Sequence, residues 1–313
     1  MTEVLSRIGL GLAALGRPAY INLGRTSALP GPRDVEAMRA ASHVVLDDAY
    51  AAGVRWVDVA RSYGLAEDFL AGWLAARGHT DVTVSSKWGY TYVGGWRPDA
   101  RVHEVKEHSL ARFRAQWAES RAVLGDVIGL YQVHSLTSDS PLFADEPLVD
   151  ALASLGAEGI RVGFSTSGPA QADTVRRALA LDVAGKPVFT AVQSTWNLLE
   201  SSVGAALGEA HAHGNLVLVK ETLANGRLVV EPPAVLSEVA ARHGVGQDAV
   251  AVAAVLAQPW AGTVLLGPSG AAQLNANLRA VDLILDDAEL AALQGISEPA
   301  DDYWARRSCL SWQ

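Results

Sequence analysis

Trp56-Val57-Asp58-Val59-Ala60-Arg61-Ser62-Tyr63-Gly64 is the stretch on which the fold turns. Trp56 and Val57 make a short apolar run closed by an acid. A turn and a tyrosine follow, and Leu65 to Arg77 then carries a helical pattern. A short strand that passes into a helix is the unit from which parallel α/β sheets are built. Two later apolar runs also end in a polar residue: Lys87 after Val82-Thr83-Val84-Ser85-Ser86, and His134 after Ile128 to Val133. In a closed barrel the C-terminal ends of the strands, and the loops after them, surround one mouth. Asp58, Tyr63, Lys87 and His134 would meet there as acid, phenol, amine and imidazole.

Working outward, the same alternation fills the chain. Ile8 to Ala13 reads as a first strand, followed by a loop to Pro32. Asp34 caps a helix running to Ala52, where Gly53 ends it. Beyond Lys87, an aromatic and glycine-rich loop covers 88–100, Arg101 to Leu124 reads as one long helix, and 135–147 as loop. Further strands are predicted at Ile160 to Phe164, Val188 to Gln193, Leu216 to Val219 and Thr263 to Leu266, with helical patterns after each; 296–313 is left as a tail. Eight strand–helix units with no linker-like break predict a TIM (β/α)8 barrel as one domain over 1–313. Loops 13–33, 88–100 and 135–147 and the tail would supply the substrate surface. Gly9 and Gly11 lack the third glycine of a Gly-x-Gly-x-x-Gly turn, so an open dinucleotide-binding sheet is disfavoured.

Composition narrows the function classes. Of 313 residues, 50% are hydrophobic and 19% charged, which predicts a large core. A net charge of −9 argues against nucleic acid as partner, because phosphates need basic surface. The single cysteine, Cys309, excludes an intramolecular disulfide framework. Arg7 and Arg17 interrupt the apolar residues of 1–23, and no run approaches the ~20 apolar residues that span a bilayer. A cytoplasmic protein without a membrane partner is the expectation. Neither His211 and His213 nor His103 and His108 are spaced as a metal pair, and no Gly-x-Ser-x-Gly elbow is present.

Singly, each of the four strand-end residues has an ordinary structural explanation. Together they form a proton-transfer device. A phenol with a pKa near ~10 is a poor acid or base at neutral pH. A neighbouring ammonium favours phenolate, a carboxylate holds that ammonium charged and oriented, and an imidazole can hydrogen-bond a carbonyl oxygen. No side chain donates hydride, so a nicotinamide cofactor is implied.

On Asp58-x-Ala60-x-x-Tyr63-Gly64, Ser86-Lys87 and Tyr131-Gln132-Val133-His134 the chain resembles the aldo-keto reductase superfamily, over nearly its whole length. The resemblance implies a TIM barrel and binding of NADP(H) or NAD(H). Asp58, Tyr63, Lys87 and His134 are then the catalytic four, with Tyr63 as the acid in the reducing direction. For the cofactor it implies Gly11, Leu12 and Asp58, and Ser165 and Thr166 in Gly163-Phe164-Ser165-Thr166, where threonine stands in place of the usual asparagine. It further implies Gln193, then Lys220, Thr222, Leu223 and Gly226 within Val217 to Leu228, and Gly267, Ser269, Gln273 and Asn277 for the adenosine half. Lys220 stands where a ring-stacking aromatic is usual. Ser269 stands where many relatives carry an arginine for the 2′-phosphate, Arg279 being the nearest basic residue of the segment. A single hydroxyl is a poorer phosphate partner than a guanidinium, so a weaker preference for NADP(H) than usual is expected, with NAD(H) as the alternative.

Tyr20, Trp88 and Trp304 are the substrate candidates, with Tyr90, Tyr92, Trp96 and Tyr303 as further aromatics. The expected substrate is an aldehyde, ketone or sugar, or the corresponding alcohol, the aromatic mouth suiting a sugar ring and a bulky polycyclic ketone equally. The competing reading is a cofactor-holding, redox-sensing subunit with little turnover.

Overall fold

A computed structural model describes residues 2–24 and 27–312. Arg25 and Thr26 of the predicted loop 13–33, and Met1 and Gln313 at the chain ends, lie outside the described residues. Eight strands close into a barrel: β1 (Ile8–Gly11), β2 (Trp56–Asp58), β3 (Thr83–Trp88), β4 (Ile128–Leu136), β5 (Arg161–Thr166), β6 (Ala191–Thr195), β7 (Leu216–Lys220) and β8 (Thr263–Leu266). Each pairs in parallel with its sequence neighbours, and β1 joins β8 to β2, so no sheet edge remains. The described helices around it include α1 (Val35–Ala52), α2 (Ala66–Arg77), α3 (Leu110–Leu124), α4 (Glu146–Ala157), α5 (Gln171–Leu179), α6 (Gly204–Ala212), α7 (Ala234–His243), α8 (Gln247–Leu256), α9 (Ala271–Leu278), α10 (Asp287–Gln294) and α11 (Ala300–Ser308). Among the described residues no helix is long and apolar enough to cross a membrane.

The period-2 alternation of the strands sorts the barrel into layers. Outward residues such as Val57, Val84, Tyr131, Phe164, Val192 and Val219 join the main core beneath the helices. Inward residues begin with an apolar floor of Leu130, Ala191, Leu218 and Leu265, against which Trp56 and Leu216 pack. Two residues further along the strands the interior turns polar, with Asp58, Gln132 and Gln193. One step higher stand His134, Thr195 and Lys220, at the rim. Gly163 keeps the floor closed: a Cβ there would come within 2.8 Å of the Ala191 carbonyl.

Several local readings change, the strand read at Val188 to Gln193 among them, which runs Ala191–Thr195. Helix α3 starts at Leu110, not Arg101, because Ser109 caps it by accepting from Arg112 N, while Glu104–Lys106 forms an antiparallel hairpin with Tyr90–Tyr92. Trp88 is the last residue of β3 and so is not loop. Of 135–147, Ser135 and Leu136 continue β4, and Glu146 already opens α4. The tail carries α11, entered through Pro299.

Gly64 holds the turn after Tyr63. Its φ is +64°, and a Cβ would lie 2.4 Å from the Gly16 carbonyl oxygen. Both conditions favour glycine at this position. They clamp the β2 loop against the β1 loop, where Leu65 N donates to Gly16 O at 2.8 Å.

Candidate active site

Asp58 ends β2, and in register it sits beside Gly11 of β1 and Ser85 of β3. Its carboxylate is 3% exposed and almost saturated with donors. Ser85 Oγ donates to Oδ2 at 2.7 Å, Gln193 Nε2 at 3.1 Å and Gln132 Nε2 at 3.3 Å, while the Lys87 ammonium pairs with Oδ1. A buried carboxylate held by an opposite charge and three hydrogen bonds is fixed in position.

Lys87 Nζ also donates to the Val59 carbonyl at 3.1 Å and to Tyr63 Oη at 3.2 Å. Because the ammonium donates into the phenolic oxygen, the hydroxyl hydrogen is left to point into the open cleft. Burial, seconded by the Asp58 charge, pushes the Tyr63 pKa well above its ordinary value. The sequence reading expected the neighbouring ammonium to lower it. In the folded chain that ammonium is largely spent on Asp58, and desolvation of a phenolate wins. Tyr63 therefore keeps its proton until a strongly basic oxygen approaches.

His134 is turned into the mouth by an irregularity in register between Val133 and Leu136, followed by Ser135 at φ +50°. Its Nδ1 lies 3.3 Å from Ser62 Oγ, leaving Nε2 toward the cleft, and its ring meets Tyr63 edge-on at 5.5 Å between centroids. Burial lowers its pKa well below the ordinary value, and the Lys87, Lys220 and Arg17 cations add to the effect. The imidazole is neutral, a hydrogen-bond partner and not a charge.

From these groups a cleft of about 590 Å³ runs outward along the rim, a size that suits a small-molecule or cofactor site (~300–1,000 Å³). Asp58, Tyr63, His134, Gln193 and Lys220 line its inner end, and Gly267, Ser269, Gln273 and Asn277 its outer end. Gly11, Thr222, Leu223 and Gly226 line it between. A bridge spans the middle: Leu23 N donates to the Asn225 carbonyl at 2.8 Å and Asn225 Nδ2 to Asn22 Oδ1 at 3.1 Å. Asn225 and Gly226 both take positive φ, and a Cβ on Gly226 would lie 2.5 Å from the Leu23 oxygen.

Several predicted residues lie elsewhere. Leu12 is fully buried behind Gly11. Ser165 Oγ accepts from Ser135 N at 2.8 Å. The Thr166 hydroxyl is held by Ser194 Oγ at 2.7 Å and Gln171 Oε1 at 3.1 Å, and Ser167 takes the place on the cleft wall. Tyr20 lines the cleft, but Trp88 does not: it is 0% exposed, with its ring against Phe113 and His108. The odd phase of β3 points it at the helices. Trp304 is buried beside Tyr303, under the Lys220 and Arg307 side chains, and does not line the cleft.

Other lining residues were missed. Arg17, 1% exposed, donates to the Ser62 carbonyl at 2.9 Å and pairs with Glu104 at 2.5 Å. Trp312 stacks on His103 at 4.2 Å and meets Tyr20 edge-on, closing the mouth from the C-terminal side. Asp248, near the start of α8, accepts from Asn277 Nδ2 at 2.8 Å at the outer end. Arg307 of α11 clasps Glu221 through two nitrogens. Only the aromatic character of the tail hinted at any of these, and it suggested the wrong tryptophan.

The family model described as "Aldo/keto reductase family" matches residues 7–298. Among curated proteins, Protein tas of Escherichia coli (strain K12) is 23% identical over 83% of this chain and 90% of its own length. Aldo-keto reductase str7 of Strobilurus tenacellus is 26% identical over 82% and 81%. Among solved structures, the holo form of aldo-keto reductase AKR11C1 from Bacillus halodurans superposes with a TM-score of 0.69 at 22% identity, covering 94% of this chain and 93% of that one. The glycerol dehydrogenase AKR11B4 from Gluconobacter oxydans gives 0.68 at 24% identity, over 96% and 92%.

Proposed function

The chain belongs to the aldo/keto reductase family, and from that premise we propose that it interconverts a small-molecule carbonyl and its alcohol, with Tyr63 moving the proton. The observation that carries the reading is a buried carboxylate–ammonium–phenol relay, with Lys87 Nζ 3.2 Å from Tyr63 Oη, at the inner end of a cleft of about 590 Å³.

The cleft suits a dinucleotide cofactor. Gly267 lines it, and a Cβ there would meet nothing within 4 Å, so the space in front of that backbone belongs to the cleft. Gln193, Thr222, Leu223, Gly226, Gln273 and Asn277 would hold the dinucleotide. When bound, a nicotinamide supplies or accepts the hydride. The chain's own residues do the rest. Neutral His134 donates a hydrogen bond to the carbonyl oxygen and orients it. Tyr63 passes its proton to that oxygen as negative charge develops there, and Lys87 stabilises the phenolate left behind. Asp58 keeps Lys87 in place. In the oxidising direction the same phenolate takes the proton back. Tyr20, Tyr90 and Trp312 would form the substrate wall, with the Arg17–Glu104 pair beneath it.

A panel of aldehydes, ketones and sugars with NADH and NADPH tests this proposal. Sustained consumption of reduced cofactor is expected. Binding without turnover across the panel would favour the redox-sensing alternative.

The outer end supports NAD(H). Ser269, Gln273, Asn277 and the Asp248 carboxylate line it, with no Arg or Lys among the described residues there, and Arg279 does not line the cleft. A 2′-phosphate would meet a carboxylate in place of a guanidinium. NADH should therefore give a kcat/KM at least equal to that of NADPH. A preference for NADPH of about a thousandfold, roughly 4 kcal/mol, would remove this assignment.

A further inference from the structure

At the inner end of the cleft the charges of the described residues do not cancel. Among the described residues there, Arg17 is paired with Glu104, Lys87 with Asp58, and Arg307 with Glu221. Lys220, at the end of β7, is the fourth cation. Its Nζ donates to the neutral Thr195 hydroxyl at 2.7 Å and reaches Glu221 only at 3.5 Å, a carboxylate already held by Arg307. Arg307 donates to Glu221 from two nitrogens and so holds it toward α11, and the Lys220 side chain is 16% exposed, so water screens it poorly. His134, neutral, adds nothing to offset it.

We propose that Lys220 makes the reacting end of this cleft hold the reduced nicotinamide in preference to the oxidised one, and so sets the chain to work as a carbonyl reductase. The inference rests on the proposed function. Hydride transfer to a carbonyl protonated by Tyr63 requires the nicotinamide ring at this same end. That ring is neutral when reduced and carries one positive charge when oxidised, so an uncancelled ammonium repels only the second form. Product release is favoured for the same reason, and alcohol oxidation must start from the repelled form. The groups facing Lys220 are Glu221 on its own segment, Arg307 from α11, and Lys87 from β3. Burial brings its pKa down to about 8, with Glu221 holding it up and Arg307 lowering it further. The ammonium is thus present at neutral pH and lost in mild alkali.

Fluorescence or calorimetric titration of the intact protein with NADH and NAD+, and with NADPH and NADP+, reads the effect without turnover. The parent should bind the reduced form at least about tenfold tighter than the oxidised. Lys220→Met should bring that ratio toward one, chiefly by strengthening the oxidised complex, while Lys220→Arg keeps it. In the parent the ratio should also shrink as the pH rises through about 8, a readout that needs no variant to fold. An unchanged ratio in Lys220→Met, or a parent that binds both forms equally, overturns the inference while leaving the oxidoreductase reading intact. Failure of both forms to bind overturns both.

Discussion

Tyr63→Phe should lower turnover of any accepted carbonyl by about a hundredfold to ten-thousandfold, the range for loss of a positioned general acid. Cofactor affinity should stay close to that of the parent. The variant removes one oxygen and keeps the ring, which meets His134 edge-on and lies 5.2 Å from the Arg17 guanidinium. Lys87 loses one acceptor but retains Asp58 and the Val59 carbonyl, so the site does not collapse around the missing hydroxyl. The raised Tyr63 pKa makes this test sharp. A phenol that holds its proton at neutral pH is ready as an acid, and the neutral His134 beside it does not replace it. Steady-state kinetics with a titration of dinucleotide binding checks both halves. Parental kcat in Tyr63→Phe would assign the acid to another group.

Asp58→Ala should be the most destabilising of the substitutions considered, by about 3–5 kcal/mol, because it leaves the Lys87 ammonium buried with only neutral acceptors. Lys87 is 1% exposed, and its remaining partners are one carbonyl and one phenol. Ser85, Gln132 and Gln193 lose their shared acceptor as well. The double substitution Asp58→Ala with Lys87→Met removes both charges, and should unfold at higher urea than Asp58→Ala alone even though two contacts are gone. If the double variant were weaker than the single by the sum of two independent losses, the pair would not be the coupled unit its geometry indicates.

The fold and the site were legible to different depths. Apolar runs ending at Asp58, Lys87 and His134 mark three strands, the first at its end and the others one and two residues short of it, and eight such runs alternating with helical patterns leave a closed parallel barrel as the compact way to bury them. Helix ends with a chemical signal were placed closely: Asp34 caps α1 and Gly53 stops it in a left-handed turn. Where no cap marks the boundary, local pattern misled. Arg101 to Leu124 looks uniformly helical, yet Glu104–Lys106 pairs with Tyr90–Tyr92, a choice made by a partner more than ten residues away.

What the sequence by itself determined is the inventory and its alternation. Asp58 shares a face with Trp56, Lys87 with Ser85, and Lys220 with Leu218, because side chains repeat every two residues along a strand. What only the tertiary structure decided is which of these side chains face one another. Barrel closure brings Gln193 to Asp58 across 135 residues of chain and Arg17 to Glu104 across 87. It also turns Trp88 outward, brings Trp312 over the mouth, and leaves Lys220 with half a carboxylate. Such pairings depend on strand register and on how the last helix docks, and these are settled by packing of the whole barrel rather than by any local run of residues.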